Sequence, residues 1–110
     1  MDETVTPEGA VKHKLKKALD KAFPGHYRFA PVQSGYGAKT LDFLCCIEGL
    51  FVAFETKAFN KMLTPLQVST VQDMMAAGAL TYVIDRDEAI VEAIARIQLA
   101  LRFNNGRRDH

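Results

Sequence analysis

The chain has no tryptophan, two cysteines and three histidines, and no apolar run near the roughly 20 residues that span a membrane as a helix. Each shortage excludes something. Cys45 and Cys46 are neighbours, and neighbouring residues on a strand point to opposite faces. A bond between them is therefore implausible, no disulfide framework exists, and reduced thiols in a buried strand are expected. His13, His26 and His110 show no metal-ligand spacing and read as surface residues. No serine–histidine or cysteine–histidine arrangement supports nucleophilic catalysis. Met1-Asp2-Glu3-Thr4 is acidic and polar, unlike a secretory signal, so a cytoplasmic protein is the expectation.

Excess charge is missing too, since the net charge is only +1. It is unevenly spread, however. Between Gly9 and Thr40 lie Lys12, Lys14, Lys16, Lys17, Lys21, Arg28 and Lys39, against the single acid Asp20. Arg102, Arg107 and Arg108 add charge near the C-terminus. Such a stripe fits an anionic partner on one face, or a solvated helix surface. With 110 residues, 48% of them apolar, the chain suits one globular domain, with a core over about 6–102 and frayed termini.

What is present is well punctuated. Thr6-Pro7-Glu8 supplies an N-cap, a first-turn proline and an acid at the positive helix end. Val11, Leu15, Leu19 and Ala22 follow at helical spacing, and Pro24-Gly25 stops the run, giving a helix over 7–23. Strands are expected at Tyr27–Gln33, Leu41–Ile47 and Leu50–Lys57, with a glycine-rich loop over 34–39 and a Glu48-Gly49 turn. Thr64-Pro65-Leu66-Gln67 has capping-box spacing and opens a second helix that Gly78 ends. Leu80–Ile84 is a short strand. A third helix over 86–102 carries Ile90, Ile94, Ile97 and Leu101 on one stripe, and Asn104-Asn105-Gly106 should end it. The order α-β-β-β-α-β-α argues an α/β fold, a mixed β-sheet flanked by helices.

Two acids interrupt apolar strands. Asp42 and Glu55 would face each other if Glu48-Gly49 is a two-residue turn, because 47 then pairs with 50 and 42 with 55. Like charges in that position destabilise a hairpin, and a divalent cation between them removes the conflict. Oxygen ligands favour Mg2+ or Mn2+ over zinc. Lys57 falls two residues beyond Glu55, on the same face, where it can steady negative charge in a transition state. Glu8 shares the helix face of Val11, Leu15 and Leu19 and should point inward, as a third carboxylate or simply as a helix-end acid. Gln67 either contacts phosphate or water at the site or caps its own helix, and one side chain is not expected to do both. Met62, Met74 and Met75 read as core or interface fillers. Gly35-Tyr36-Gly37-Ala38-Lys39-Thr40 lacks the spacing of a phosphate-binding P-loop, and a strand follows it, so nucleotide binding is rejected.

Asp42 followed by Glu55-Thr56-Lys57 resembles the D…ExK core of the PD-(D/E)XK nuclease superfamily. The run Phe51–Lys57, with Lys61-Met62-Leu63-Thr64-Pro65-Leu66-Gln67 after it, is more closely similar to the VRR-NUC family. The likeness spans about residues 6–84. Leu41 stands where that family usually has proline. The resemblance implies a restriction-endonuclease-like core and metal-dependent hydrolysis of DNA, with Mg2+ or Mn2+ as cofactor. It implies Glu8, Asp42, Glu55, Lys57 and Gln67 as catalytic residues, with Asp42, Glu55 and Glu8 holding the metal. Lys12, Lys16, Ser34, Tyr36, Lys39 and Lys61 are the candidate DNA contacts. Small stand-alone members are similar to Holliday-junction resolvases of phage or bacterial origin, which act as homodimers suited to a branched substrate. Flap, duplex or single-strand nucleases share this chemistry, and a non-catalytic DNA-binding accessory protein on the same fold is the competing reading.

Overall fold

The computed structural model describes residues 6–32 and 39–108, with side chains given as far as Asn104. The elements follow the expected order: α1 (Pro7–Ala22), β1 (Tyr27–Phe29), β2 (Phe43–Ile47), β3 (Leu50–Thr56), α2 (Pro65–Ala76), β4 (Leu80–Ile84) and α3 (Asp87–Arg108). The strands form one sheet in the order β1-β2-β3-β4. The first three are antiparallel, and β4 runs parallel to β3, so the sheet is mixed.

Local chemistry explains most boundaries. Thr6 caps α1 by accepting the Gly9 N–H through its hydroxyl at 2.9 Å, with Pro7 at the first helical position. Glu48 and Gly49 both take positive φ, 48° and 91°, the pair a two-residue hairpin turn demands. Ile47 pairs with Leu50 and Phe43 with Phe54, the register that turn dictates. At the end of α2, Gly78 adopts φ 102° while its N–H and that of Ala79 return to Met75 and Met74. This closing motif satisfies carbonyls the helix would otherwise leave open.

Three boundaries differ from expectation. β1 ends at Phe29, well short of Gln33, because Pro31 has no N–H for the ladder. β2 starts at Phe43, which leaves Asp42 just outside it. α3 runs on through Asn104-Asn105-Gly106 to Arg108. Weak helix formers cost only about 1 kcal/mol each, too little to halt a helix already four turns long.

One sheet face makes the core. Phe43, Cys45, Ile47, Val52, Phe54 and Ile84 pack against Leu15, Leu19 and Phe23 from α1 and Ile90, Ala93, Ile97 and Leu101 from α3. Each buried side chain of this size is worth roughly 1.5–3 kcal/mol. α2 packs on β4. The cysteines split as strand geometry requires, but Cys46 is exposed and only Cys45 is buried, where desolvation pushes its thiol to about 11. Cys46 therefore does not sit in the core. It shares the outer face of the sheet with Tyr27 and Phe51, its partners across the ladder, and both are exposed.

His26 is also not a surface residue, since its side chain is 3% exposed. Its Nδ1 donates to the Phe23 carbonyl at 2.8 Å, and its Nε2 lies 3.0 Å from the Arg28 guanidinium. A carbonyl only accepts and a guanidinium only donates, so Nδ1 is the donor and Nε2 the acceptor in these two contacts. Met62 and Met75 are 87% and 58% exposed, so neither fills the core. Among the described residues, no helix is long and apolar enough to cross a membrane.

Candidate active site

Asp42 and Glu55 meet where the hairpin ladder ends. Beyond the Phe43–Phe54 pair, side chains replace backbone partners. The Asp42 N–H donates to Glu55 Oε1 at 3.2 Å, and the Thr56 N–H donates to Asp42 Oδ2 at 2.9 Å. Each carboxylate thus satisfies the backbone of the opposite strand. The Thr56 hydroxyl adds a second bond to Asp42 Oδ2 at 2.7 Å. Thr56 is fully buried, and sequence reasoning passed over it. A threonine inside a strand reads as a β-former, and only its alternation with Glu55 could have drawn attention to it. Thr56→Val keeps the shape and removes this hydroxyl. It should cost about 2 kcal/mol in chemical denaturation, since the acceptor is charged, and Thr56→Ser should restore most of the loss.

Gln67 reaches the same pair from α2. Its Nε2 donates to Glu55 Oε2 at 2.7 Å, while its Oε1 accepts the Thr64 N–H at 2.9 Å. The Gln67 N–H in turn donates to the Thr64 hydroxyl, which completes a capping box. The cap expected from the sequence is thus present, and the same side chain also reaches the Glu55 carboxylate. The amide has an acceptor and a donor at opposite corners, so the cap uses one and the carboxylate the other.

Glu55 is only 3% exposed. Burial and the nearby Asp42 charge raise its pKa to about 7, with Lys57 opposing and Glu8 adding slightly. The charge conflict foreseen from the hairpin is thus present in the fold.

A cleft of about 520 Å3 opens over this pair. Glu8, Lys12 and Lys16 from α1 form one wall, Ala30 and Pro31 another, and Asp42, Phe43, Glu55 and Gln67 the floor and far side. Glu8 lies one turn from Lys12 and two from Lys16 on the same helix. The Lys12 ammonium stands 3.8 Å from Asp42 Oδ1. Lys57 affects Glu55 through its charge, although it is not one of the residues lining this cleft. Lys39 is exposed and ion-paired with Asp73 on α2, and Lys61 is exposed on the β3–α2 loop. Ser34 and Tyr36 lie outside the described residues. Among the described residues, no three of His, Cys, Asp and Glu come together as a metal-binding group. Glu8 therefore borders the cleft without joining Asp42 and Glu55 in a tight trio.

A pair still suits one kind of cation. Mg2+ is commonly held by one or two carboxylates, with water and substrate phosphate completing its shell. Asp42 and Glu55 supply oxygen donors only and a like-charge conflict that a cation relieves, so the residues fit Mg2+ or Mn2+.

The fold matches that of a solved VRR_NUC domain. The two superpose with a TM-score of 0.70 at 20% sequence identity, over 82% of this chain and 96% of the other. No family model and no curated protein matches the sequence. The likeness to the VRR_NUC domain thus rests on the path of the backbone, which carries the mixed sheet and its flanking helices. The cleft described above is built from this chain's own residues on that VRR_NUC-like framework.

Proposed function

We propose that this protein is a metal-dependent DNA endonuclease of the PD-(D/E)XK type that hydrolyses phosphodiester bonds, with Asp42, Glu55 and Lys57 at its centre. The observation that carries this reading is the meeting of Asp42 and Glu55 across the hairpin, in a cleft walled by Lys12 and Lys16. Buried like charges are costly, and hydrogen bonds alone leave Glu55 in conflict with its neighbour. The likeness to a VRR_NUC domain adds to the case.

Asp42 and Glu55 would hold the cation, with Glu8 placed to contribute from the cleft wall. The bound metal would supply Lewis-acid charge for attack on phosphorus. The protein's own groups do the rest. Thr56 fixes the Asp42 carboxylate with two hydrogen bonds, and Gln67 fixes that of Glu55. Lys57 offers a positive charge to the negative charge that builds on the phosphoryl oxygens. Lys12 and Lys16, which line the cleft, would contact phosphates flanking the cut, and Lys39 and Lys61 are further candidate phosphate contacts.

The substrate we favour is branched DNA, cut as by a Holliday-junction resolvase acting as a homodimer, because two symmetric strands require two sites. The test is strand-specific cleavage of end-labelled four-way junction, flap, single-stranded and plain duplex DNA with Mg2+ or Mn2+. Paired symmetric cuts confined to the junction are expected. Cutting of all four substrates would keep the nuclease and remove the junction preference.

A second reading is a non-catalytic DNA-binding accessory protein. It draws on the same hydrogen bonds, which could make the two acids a structural latch between β2 and β3. Failure to cut any substrate, with DNA binding intact, would favour it.

A further inference from the structure

The loop between β3 and α2 is held unusually firmly for a segment so exposed. Asn60 has φ 62°, a conformation that costs energy unless its surroundings enforce it. They do. The Asn60 N–H donates to Asp85 Oδ2 at 3.0 Å, and the Arg86 guanidinium donates to Asn60 Oδ1 at 2.8 Å. Arg86 also binds both Asp85 oxygens, at 2.8 and 2.9 Å. The same guanidinium lies 4.3 Å from the centroid of the Phe59 ring. The Arg86 hydrogen bonds hold the Asp85 carboxyl down at about 2, so this network stays charged throughout the usable pH range. The other ends are anchored too. The Lys57 N–H donates to the Ile84 carbonyl, Lys61 N–H to that of Ala58, and Thr64 N–H to Gln67.

A loop tied down in this way usually tucks its apolar side chains beneath it. Here the reverse holds. Lys61 is exposed, and Met62 beside it is 87% exposed. One amide group and two hydrogen bonds, through Gln67, connect the Thr64 N–H to the Glu55 carboxylate. Met62 is therefore two residues from a point anchored to the cleft. An exposed apolar side chain on an anchored loop is one means by which proteins part stacked bases. An exposed lysine next to it suits a backbone phosphate.

We propose that the Phe59–Asn60–Asp85–Arg86 network turns the β3–α2 loop into a rigid prong, with Met62 inserting between DNA bases next to the cleft while Lys61 grips the backbone. The inference rests on the nuclease reading and sharpens its substrate to DNA whose base step is opened beside the cut. Branched DNA meets that need at low cost, because stacking is already interrupted at the branch. Met62 is the specificity-determining residue, and Arg86 and Asp85 are positioning residues.

The experiment uses the full chain, a chelator to prevent cutting, and four-way junctions carrying 2-aminopurine at successive steps around the branch. This base brightens when it is unstacked. Wild-type protein should raise its fluorescence at one step. Met62→Ala should lose that rise while keeping its melting temperature and its DNA affinity within roughly threefold, since insertion gains are offset by the unstacking cost. Lys61→Gln should keep the rise but lower the slope of log affinity against log salt by about one. Arg86→Gln should lose the rise with Met62 still present. A rise that survives in Met62→Ala, or DNA binding by the wild type with no rise at any step, overturns the prong and leaves the nuclease standing. Failure of the wild type to bind any junction overturns both.

Discussion

Asp42→Asn is expected to cut the rate of DNA cleavage by about a hundredfold or more, while the protein folds at least as well as the wild type. The two effects have separate causes. An asparagine oxygen can still accept both bonds from Thr56, so the end of the hairpin keeps its geometry. Removing the charge also relieves Glu55, whose raised pKa owes part of its shift to Asp42. What disappears is an anionic ligand for the cation, and loss of a group that stabilises transition-state charge typically costs 3 kcal/mol or more, which is over a hundredfold in rate. Lys57→Ala should behave similarly in rate, with DNA affinity largely kept. Single-turnover cleavage together with melting curves separates these outcomes. An Asp42→Asn protein that cuts at the wild-type rate would remove this residue from the mechanism.

The second large effect concerns pH. Glu55 titrates near 7 in the folded chain against about 4.5 unfolded, so between these values the folded state holds a proton that the unfolded state has released. The stability this provides is complete below pH 4.5 and lost as pH rises through 7. Metal-free protein should therefore be more stable at pH 5 than at pH 8 by about 2 to 3 kcal/mol, on the order of 10 °C in melting temperature. Asp85 does not disturb this window, because it titrates near 2. Glu55→Gln should flatten the profile. Millimolar Mg2+ or Mn2+ at pH 8 should recover the lost stability, since a ligand that binds only the folded state raises the melting temperature. A flat wild-type profile, or no response to metal at pH 8, would count against the charge conflict as the reason for cation binding.

Much of the fold was legible because its punctuation is local. Thr6-Pro7, Pro24-Gly25, Thr64-Pro65 and Gly78 mark helix ends by capping and backbone chemistry that needs no tertiary partner. The Glu48-Gly49 turn fixed the hairpin register, and with it the encounter of Asp42 and Glu55. The misses were tertiary. Nothing in the sequence says that β2 starts one residue after Asp42, which frees that carboxylate to reach Thr56. The approach of Lys12 to Asp42 depends on how α1 docks on the sheet. The double role of Gln67 depends on where α2 begins relative to Glu55. His26 looked like a surface residue because its burial comes from partners, Phe23 and Arg28, that only the folded turn brings round it. Met62 read as a core or interface filler by its chemistry alone, and its exposure, which excludes the core, depends on the path of a loop held by Asn60, Asp85 and Arg86.

The central claim is that Asp42 and Glu55 hold a divalent cation on which DNA hydrolysis depends. Calorimetric titration of Mn2+ into the protein bound to a four-way junction, beside the same titration of Asp42→Asn, tests it most directly. Saturable binding by the wild type that is lost in the variant is the result this account predicts. No measurable binding by the wild-type complex would contradict it and shift the weight to the DNA-binding accessory reading.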